Sequence, residues 1–580
     1  MKYVIFLLFP FFAFGQYTSI PLHSDLHNFA ERLEIAGKSD LHTAINEFSS
    51  RSVFIETIDT FNSLSKIDQY LASKLIRNYP EYWDLIDEDQ QLEKQYIDSN
   101  KVFFTETLQE SKFAQIIEPS KPLLKYFYQN RNYFSQIKAK GFLLKINPIV
   151  FFGIGRDLSN ESYVFENRRG IALSGHINDR VYFYSDIVES QASFPTYVDN
   201  FVNKFVAIPG YGFYKLYRSS LSDQINGYDF LNATAYVNAR ITKNIGVEFG
   251  NSKQILGNGN RSLLLSDFTN NYLYLKFNTK IWKLHYQNIY AELIPISTKA
   301  FPSGNVIPRK YMTTHYLSYK HKNIELGIFE SVIFQRDGKF DLQYLNPVIL
   351  YRLVEYNLAS SDNVLVGANA KWNIANKVQL YGQIILDEFK LNELITNDPE
   401  KQGWWANKYG IQVGGKYINA FGIDGLDFHL EYNRVRPFTY GHRRGASYSH
   451  ANQPLAHPLG ANFSEVNFSA NYYITPKLKL SSTNYFIHQG IDTDSIYYGA
   501  DVLRNSADKP AEYGNFLYQG IDSKTFLSTN KISYEFFPNY FIDANLIYRN
   551  QISDVATLNF TNLIFSGGIR INFWEPKIHI

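Results

Sequence analysis

The chain has 580 residues, 57 Lys and Arg against 55 Asp and Glu, and no Cys. A net charge of +2 argues against a nucleic-acid binder, which needs a basic excess, and the missing Cys excludes disulfide scaffolds, thiolate metal sites, thiol catalysis and a Cys-anchored lipoprotein. Hydrophobic and aromatic contents of 45% and 17% exclude disorder, and because one soluble core rarely grows past about 250–300 residues, a single large β-barrel rich in Tyr and Phe is the main alternative to several domains.

Residues 1–16 read as a secretory signal peptide. Lys2 gives a short positive region, Val4 to Phe14 is unbroken and apolar, and Ala13 and Gly15 precede a cut near Gln16. The run is too short for a spanning helix, which needs about 20 apolar residues, and no later stretch reaches that length without charges. Residues 17–135 are expected to form a small helical periplasmic domain. Leu26, Phe29, Ala30 and Leu33 recur at helical spacing, Ser65 and Asp68 resemble a capping box, and Ile67, Tyr70, Leu71 and Leu75 make a stripe that stops at Pro80. Acidic residues cluster over 81–93.

Residues 136–580 are expected to form an all-β transmembrane barrel, because the apolar period changes to two. Leu426, Phe428, Leu430 and Tyr432 share one face, and Asp427, His429, Glu431 and Asn433 the other; Val364, Val366, Ala368, Ala370 and Trp372 alternate with Leu365, Gly367, Asn369 and Lys371. Strands are predicted at 141–154, 169–177, 179–188, 227–241, 244–250, 271–278, 281–292, 311–320, 323–331, 363–373, 376–386, 409–417, 425–435, 464–474, 477–487, 524–537, 540–550 and 561–573. That is an even count of eighteen, with sixteen or twenty as neighbours. Every second connection is short, and those between run longer, as at 155–168, 189–226 and 332–362. Short turns at one rim and long loops at the other are the pattern of an outer-membrane barrel. Tyr272, Tyr274, Trp282, Tyr286, Tyr316, Tyr319, Tyr540 and Phe541 stand near strand ends and are expected to form interfacial girdles, with cross-strand packing as the alternative.

Two long-loop segments carry the candidate chemistry. In 251–267, Gly257-Asn-Gly259 permits a tight reversal, and Arg261 suits bidentate contact with a carboxylate, either on a ligand or on the barrel wall. In 434–463, Arg434, Arg436, His442, Arg443 and Arg444 interleave with Tyr440 and Tyr448. Arg and Tyr can hold an acidic sugar by charge-assisted hydrogen bonds and stacking; the alternative is a loop folded into the lumen and paired with wall carboxylates. His442, His450 and His457 match no metal-ligand spacing, so no metal or cofactor is expected. No nucleophile elbow or His-Glu-x-x-His occurs, and no catalytic residue is assigned.

The segment 257–267, with Gly257, Gly259, Ser266 and Asp267, resembles the signature loop of the Wzi-type capsule-assembly outer-membrane proteins. The segment 452–460, with Asn452, Gln453, His457 and Gly460, resembles a second. The likeness is nearest the Bacteroidota branch labelled gliding-motility protein RemB, where Lys121 to Tyr128 and Phe142 to Pro148 also have counterparts. It spans about 20–575. It implies an eighteen-stranded barrel with a helical periplasmic domain, a lectin role in holding capsular polysaccharide for the Wzi type, and a part in surface motility for the RemB label. The resulting expectation is a non-enzymatic outer-membrane protein whose partners are lipid, surface polysaccharide and a periplasmic or motility-machinery protein, but not nucleic acid. The candidate glycan contacts, read from the two loops themselves, are Arg261, Arg436, Tyr440, Arg443, Arg444 and Tyr448. The rivals are a polar-solute channel, unless the 189–226 and 332–362 loops or the helical domain block the lumen, and a structural component of a motility or secretion machine.

Overall fold

The computed structural model describes residues 19–79, 82, 133–178, 180–218, 226–295, 308–336, 339–348, 350–443 and 445–574. The signal-peptide segment, most of 80–132 with its acidic cluster and Lys121 motif, and Arg444 lie outside the described residues. Eighteen antiparallel strands form the body: β1 Phe142–Asp157, β2 Ser162–Ile177, β3 Val181–Ser193, β4 Asn226–Arg240, β5 Ile245–Ser252, β6 Tyr272–Ile281, β7 Leu284–Leu293, β8 Lys310–His321, β9 Ile324–Phe334, β10 Asn363–Ile374, β11 Val378–Leu386, β12 Tyr409–Tyr417, β13 Leu426–Val435, β14 Phe463–Thr475, β15 Leu478–Ile491, β16 Ile521–Phe537, β17 Tyr540–Ser553 and β18 Phe560–Ile571. Each pairs with its sequence neighbours. β18 returns to β1 from Val150↔Ile571 to Asp157↔Ile564, closing the barrel. The short strand Ser135–Ala139 folds back on Phe142–Ile146 and fills the rest of that seam.

The period of two sorts each strand between lipid and lumen. Leu430, Val366, Trp372, Ile542 and Leu546 project outward and are exposed, while Glu431, Asn433, Asn369, Lys371 and Asp543 project inward and are buried. A closed wall leaves no sheet edge, and an apolar outer band satisfies the bilayer while the backbone bonds within itself. The barrel is a bacterial outer-membrane protein, and its short-turn rim is the periplasmic one.

Three expectations need correction. The connection placed at 155–168 is only four residues long, because β1 and β2 continue outward. The charged run at 166–169 belongs to β2: Arg168 turns into the lumen beside Glu166 at 2.6 Å, and Arg169 pairs across the outer wall with Glu189 at 3.0 Å. Trp282 and Tyr319 lie near the short turns with their rings 5.9 Å apart, but Tyr272, Tyr274, Tyr316 and Phe541 are buried inside the barrel and cannot belong to a girdle. Aromatic type does not reveal phase, and in β6 the even residues face in. The 332–362 connection does not block the lumen; it folds down the outside.

The short-turn end is filled by α1 Asp25–Ile35, α2 Ser50–Thr60 and α3 Lys66–Asn78. Ser65 Oγ accepts from Asp68 N at 3.1 Å, so the capping signal marks the start of α3. Phe29, Leu33, Val53, Phe54, Leu71 and Leu75 make the core of this insert. Buried charges fasten it to the wall. Arg32 bridges Asp68 and Asp427, Glu34 meets Lys320 and Lys371 at 2.9 and 3.0 Å, Glu47 meets Lys276 at 2.6 Å, and Lys74 meets Glu535 at 3.1 Å. These pairs explain why the lumenal face carries charge of both signs.

Candidate functional site

The two motif loops meet inside the barrel. In the first, residues 251–271, the chain reverses at Gly257, whose φ is 128°; a Cβ there would stand 1.8 Å from the Gln383 amide, so only Gly fits. Asn260 N and Arg261 N donate to the Glu431 carboxylate at 2.8 and 3.3 Å. Leu263 N donates to Gln383 Oε1 at 2.9 Å, and Ser262 caps the turn through the Leu256 carbonyl. Leu263, Leu264 and Leu265 are then wholly buried, in an apolar core within the lumen that includes Tyr316, Phe329 and Leu455.

Arg261 is the polar anchor of this loop. Its Nε and Nη2 each donate to the Glu465 carboxylate at 3.3 Å, and its guanidinium lies 4.7 Å from the Tyr485 ring. Burial opposes its charge, but Glu465 beside it more than compensates and holds the guanidinium above its ordinary range. His457 Nε2 approaches the same carboxylate at 3.2 Å, so residues from both motif loops share one wall acid.

The second loop, residues 436–462, packs on the first. Tyr440 OH donates to Leu263 O and Tyr448 OH to Leu264 O, both at 2.8 Å, with the rings stacked 6.0 Å apart. Ser266 N donates to Leu455 O, and Ser266 Oγ accepts from Phe268 N. Gln453 accepts from Gly210 N at 2.7 Å, and Asn452 donates to Phe205 O at 2.8 Å, which ties in the 194–218 connection and its helix α4 Thr196–Phe205. Gly460 has φ 70°, and a Cβ there would meet Ala500 O at 2.8 Å. Asp267 faces His23 of the N-terminal insert. The motif residues therefore build an internal lock. Arg261, Tyr440 and Tyr448 are buried against protein and offer no face to a polymer, a correction to the expected glycan contacts. Of the remaining candidates, Arg443 is exposed, and Arg436 is half-buried, donating to Asn515 O at 2.9 Å above the Tyr409 ring.

The loop lock and the N-terminal insert touch. Gly257 N donates to Ala44 O at 2.7 Å, Asn46 donates to Gly257 O at 2.6 Å, and Asn258 donates to Thr43 at 2.9 Å. Cavities of about 510 and 240 Å³ flank them.

Two buried histidines belong to this packing. His27, stacked on Phe48, faces the Asn46 carbonyl at 3.2 Å; His450 accepts from Ile294 N at 3.0 Å and donates to Asn271 O. Burial lowers them to about 4 and about 3. With folded values below the unfolded 6.5, their stabilisation is full above pH 6.5 and is lost as pH falls toward 4 and 3. At pH 4.5 each should forfeit about 2–3 kcal/mol. The urea midpoint should therefore drop from pH 7.5 to 4.5 by more in the wild type than in a His27→Gln, His450→Gln variant. Equal drops would refute the assignment.

Sequence reasoning passed over one external cluster, although two adjacent Trp in a loop are a usable signal. In the 387–408 connection Trp404 is partly exposed with Lys390 Nζ 4.7 Å from its ring, and Trp405 lies beneath Lys509 at 4.3 Å, against Phe438 and Tyr497. Glu512 joins this group, meeting Lys509 at 2.9 Å. Among the described residues no group of three metal-ligating side chains converges.

No family model and no curated protein sequence matches the chain. Among solved structures it is similar to Wzi of Escherichia coli, an outer membrane protein involved in group 1 capsule assembly and a carbohydrate-binding β-barrel. Identity is 13% and the TM-score 0.55, over 96% of this chain and 100% of that one. OccAB2 of Acinetobacter baumannii (10%, TM-score 0.40, 74% and 98% covered) and OprD of Pseudomonas aeruginosa (11%, 0.40, 74% and 94%) are more distant matches. At such identities the likeness is one of fold.

Proposed function

We propose that this protein holds surface polysaccharide on the outer face of its interlocked loops and does not conduct solutes. The observation that carries the reading is the lumen itself: the N-terminal insert enters it from one rim and the motif loops from the other, and the insert's charges pair with wall residues, which favours the external face as the place for a ligand. There Trp404 and Lys390 combine a stacking surface with a cation, as an acidic sugar requires, and Arg443 of the second loop adds an exposed one. The carbohydrate binding of the similarly folded Wzi barrel supports the same reading.

A Trp404→Ala, Lys390→Ala, Arg443→Ala variant should fold and insert normally but retain severalfold less polysaccharide, and wild-type binding should weaken from 50 to 300 mM salt. Unchanged retention in the variant would sink the assignment. Any part in gliding motility, implied by the resemblance to RemB-labelled proteins, follows from the retained polymer in this reading, so motility should fall with retention in the same variant.

A further inference from the structure

The outer wall of β7, β8 and β9 breaks the lipid-facing pattern. Lys310, Ser318 and Lys320 bond to groups inside the lumen, so the odd residues of β8 point out. The outward set includes Tyr286, Asn288 and Tyr290 of β7, Thr313 and His315 of β8, and Glu330 of β9. The register aligns Asn288, His315 and Glu330 in one row. Glu330 stands six positions above Ile324 at the short turn. A tilted strand climbs about 2.5 Å per residue, which puts the row roughly 15 Å up, near the middle of the ~25 Å apolar band. Polar groups facing acyl chains at that depth are strongly disfavoured.

They do not face acyl chains. The connection between β9 and β10 leaves the long-loop rim and descends along the outside of the barrel. Tyr290 OH donates to Leu345 O at 3.0 Å, Asn288 donates to Pro347 O at 3.3 Å, and Tyr286 OH donates to the same carbonyl. Glu330 accepts from Arg352 N at 3.1 Å in the first turn of α5 Tyr351–Leu358, and the His315 ring packs 4.0 Å from that of Tyr351. Phe334, Tyr344, Tyr351 and Val354 complete an apolar core on the wall, and Arg336 with Asp362 pins the neck at 2.6 Å. The polar wall row thus satisfies the irregular backbone laid over it, which non-helical chain needs at membrane depth.

The far side of this segment carries a run of large apolar side chains, with Gln343, Asn346, Arg352 and Asn357 exposed among them. Leu342, Leu345, Val348, Leu350, Leu353 and Tyr356 are between 41% and 85% exposed, flanked by the bare lipid-facing Leu326, Ile328 and Val366. Arg352 and Glu355, the charged side chains of α5, pair with each other at 2.6 Å. We propose that residues 339–348 and 350–362 form a re-entrant flap sunk into the external leaflet, with bilayer acyl chains as the partner of its outer face. The continuity of that face with the apolar belt of β9 and β10 beside it identifies the occupant.

The chain has no Cys, so single thiols report cleanly. Val348→Cys and Leu350→Cys carry a polarity-sensitive fluorophore in phosphatidylcholine vesicles doped with nitroxide-labelled acyl chains. Ile328→Cys serves as the bare-wall reference, and Leu216→Cys, on the external strand Lys215–Arg218, as the water reference. Quenching at 348 and 350 should match that at 328 and exceed that at 216 severalfold, with iodide from the water phase having little effect. Quenching by iodide as at 216 would overturn the proposal. So would probes in isolated native membranes that neither quencher reaches, since a protein would then be the cover.

Discussion

Replacing Arg261 by Ala should cost the barrel about 3–5 kcal/mol, a loss typical of leaving one buried charge without its partner. Glu465 is fully buried, and its charge is met by two Arg261 nitrogens and by His457. Burial lowers His457 relative to its ordinary range despite the adjacent acid, so it is a poor substitute for a permanent cation. The loss should appear as a lower urea midpoint and earlier heat-induced unfolding. Removing both charges in an Arg261→Gln, Glu465→Gln variant should recover most of the stability, because the desolvation cost disappears with the pair. A single variant as stable as wild type would refute the lock. The double variant separates two roles: retention of polysaccharide once the fold is restored would show that Arg261 acts as an internal anchor, while loss of retention in a stable barrel would return it to the binding surface.

The second large effect concerns current. An empty barrel of about eighteen strands encloses an aqueous channel, yet Leu263, Leu264 and Leu265 occupy this one and contact the N-terminal insert through Ala44 and Ile45. Wild-type protein in planar bilayers should show no conductance steps. Removing residues 19–79 together with replacing 253–269 by a Gly-Ser turn should yield steady open channels. Steps from the wild type comparable to those of the emptied barrel would overturn the reading of a filled lumen, and with it the argument that places the ligand outside.

Most of the architecture is legible in the sequence because lipid imposes a strict rule on every second residue. Leu430 and Glu431 cannot exchange faces without exposing a carboxylate to acyl chains, so period two survives over eighteen strands. The candidate site is less legible for a related reason. A polar residue in a long loop has no period, and nothing near Arg261 in sequence reveals a carboxylate 204 residues away. Tyr440 and Tyr448 beside Arg443 read as a sugar platform until their hydroxyls are found on the Leu263 and Leu264 carbonyls. Glu330 and His315 sit on the lipid-facing phase of otherwise regular strands. That breach of the rule was visible, but only the fold shows the segment that covers them.

The salt bridges of the N-terminal insert also govern how this protein is made. Arg32 and Asp427 are 395 residues apart, and Lys74 and Glu535 are 461 apart. Neither contact can form until most of the wall has been delivered to the membrane. Until then the core of the insert lacks Tyr182 and Tyr473, the wall side chains that complete it, and chains holding apolar surface in waiting are prone to self-association. A chaperone that shields residues 19–79 until the strands carrying Asp427 and Glu535 arrive should therefore raise the yield of folded barrel.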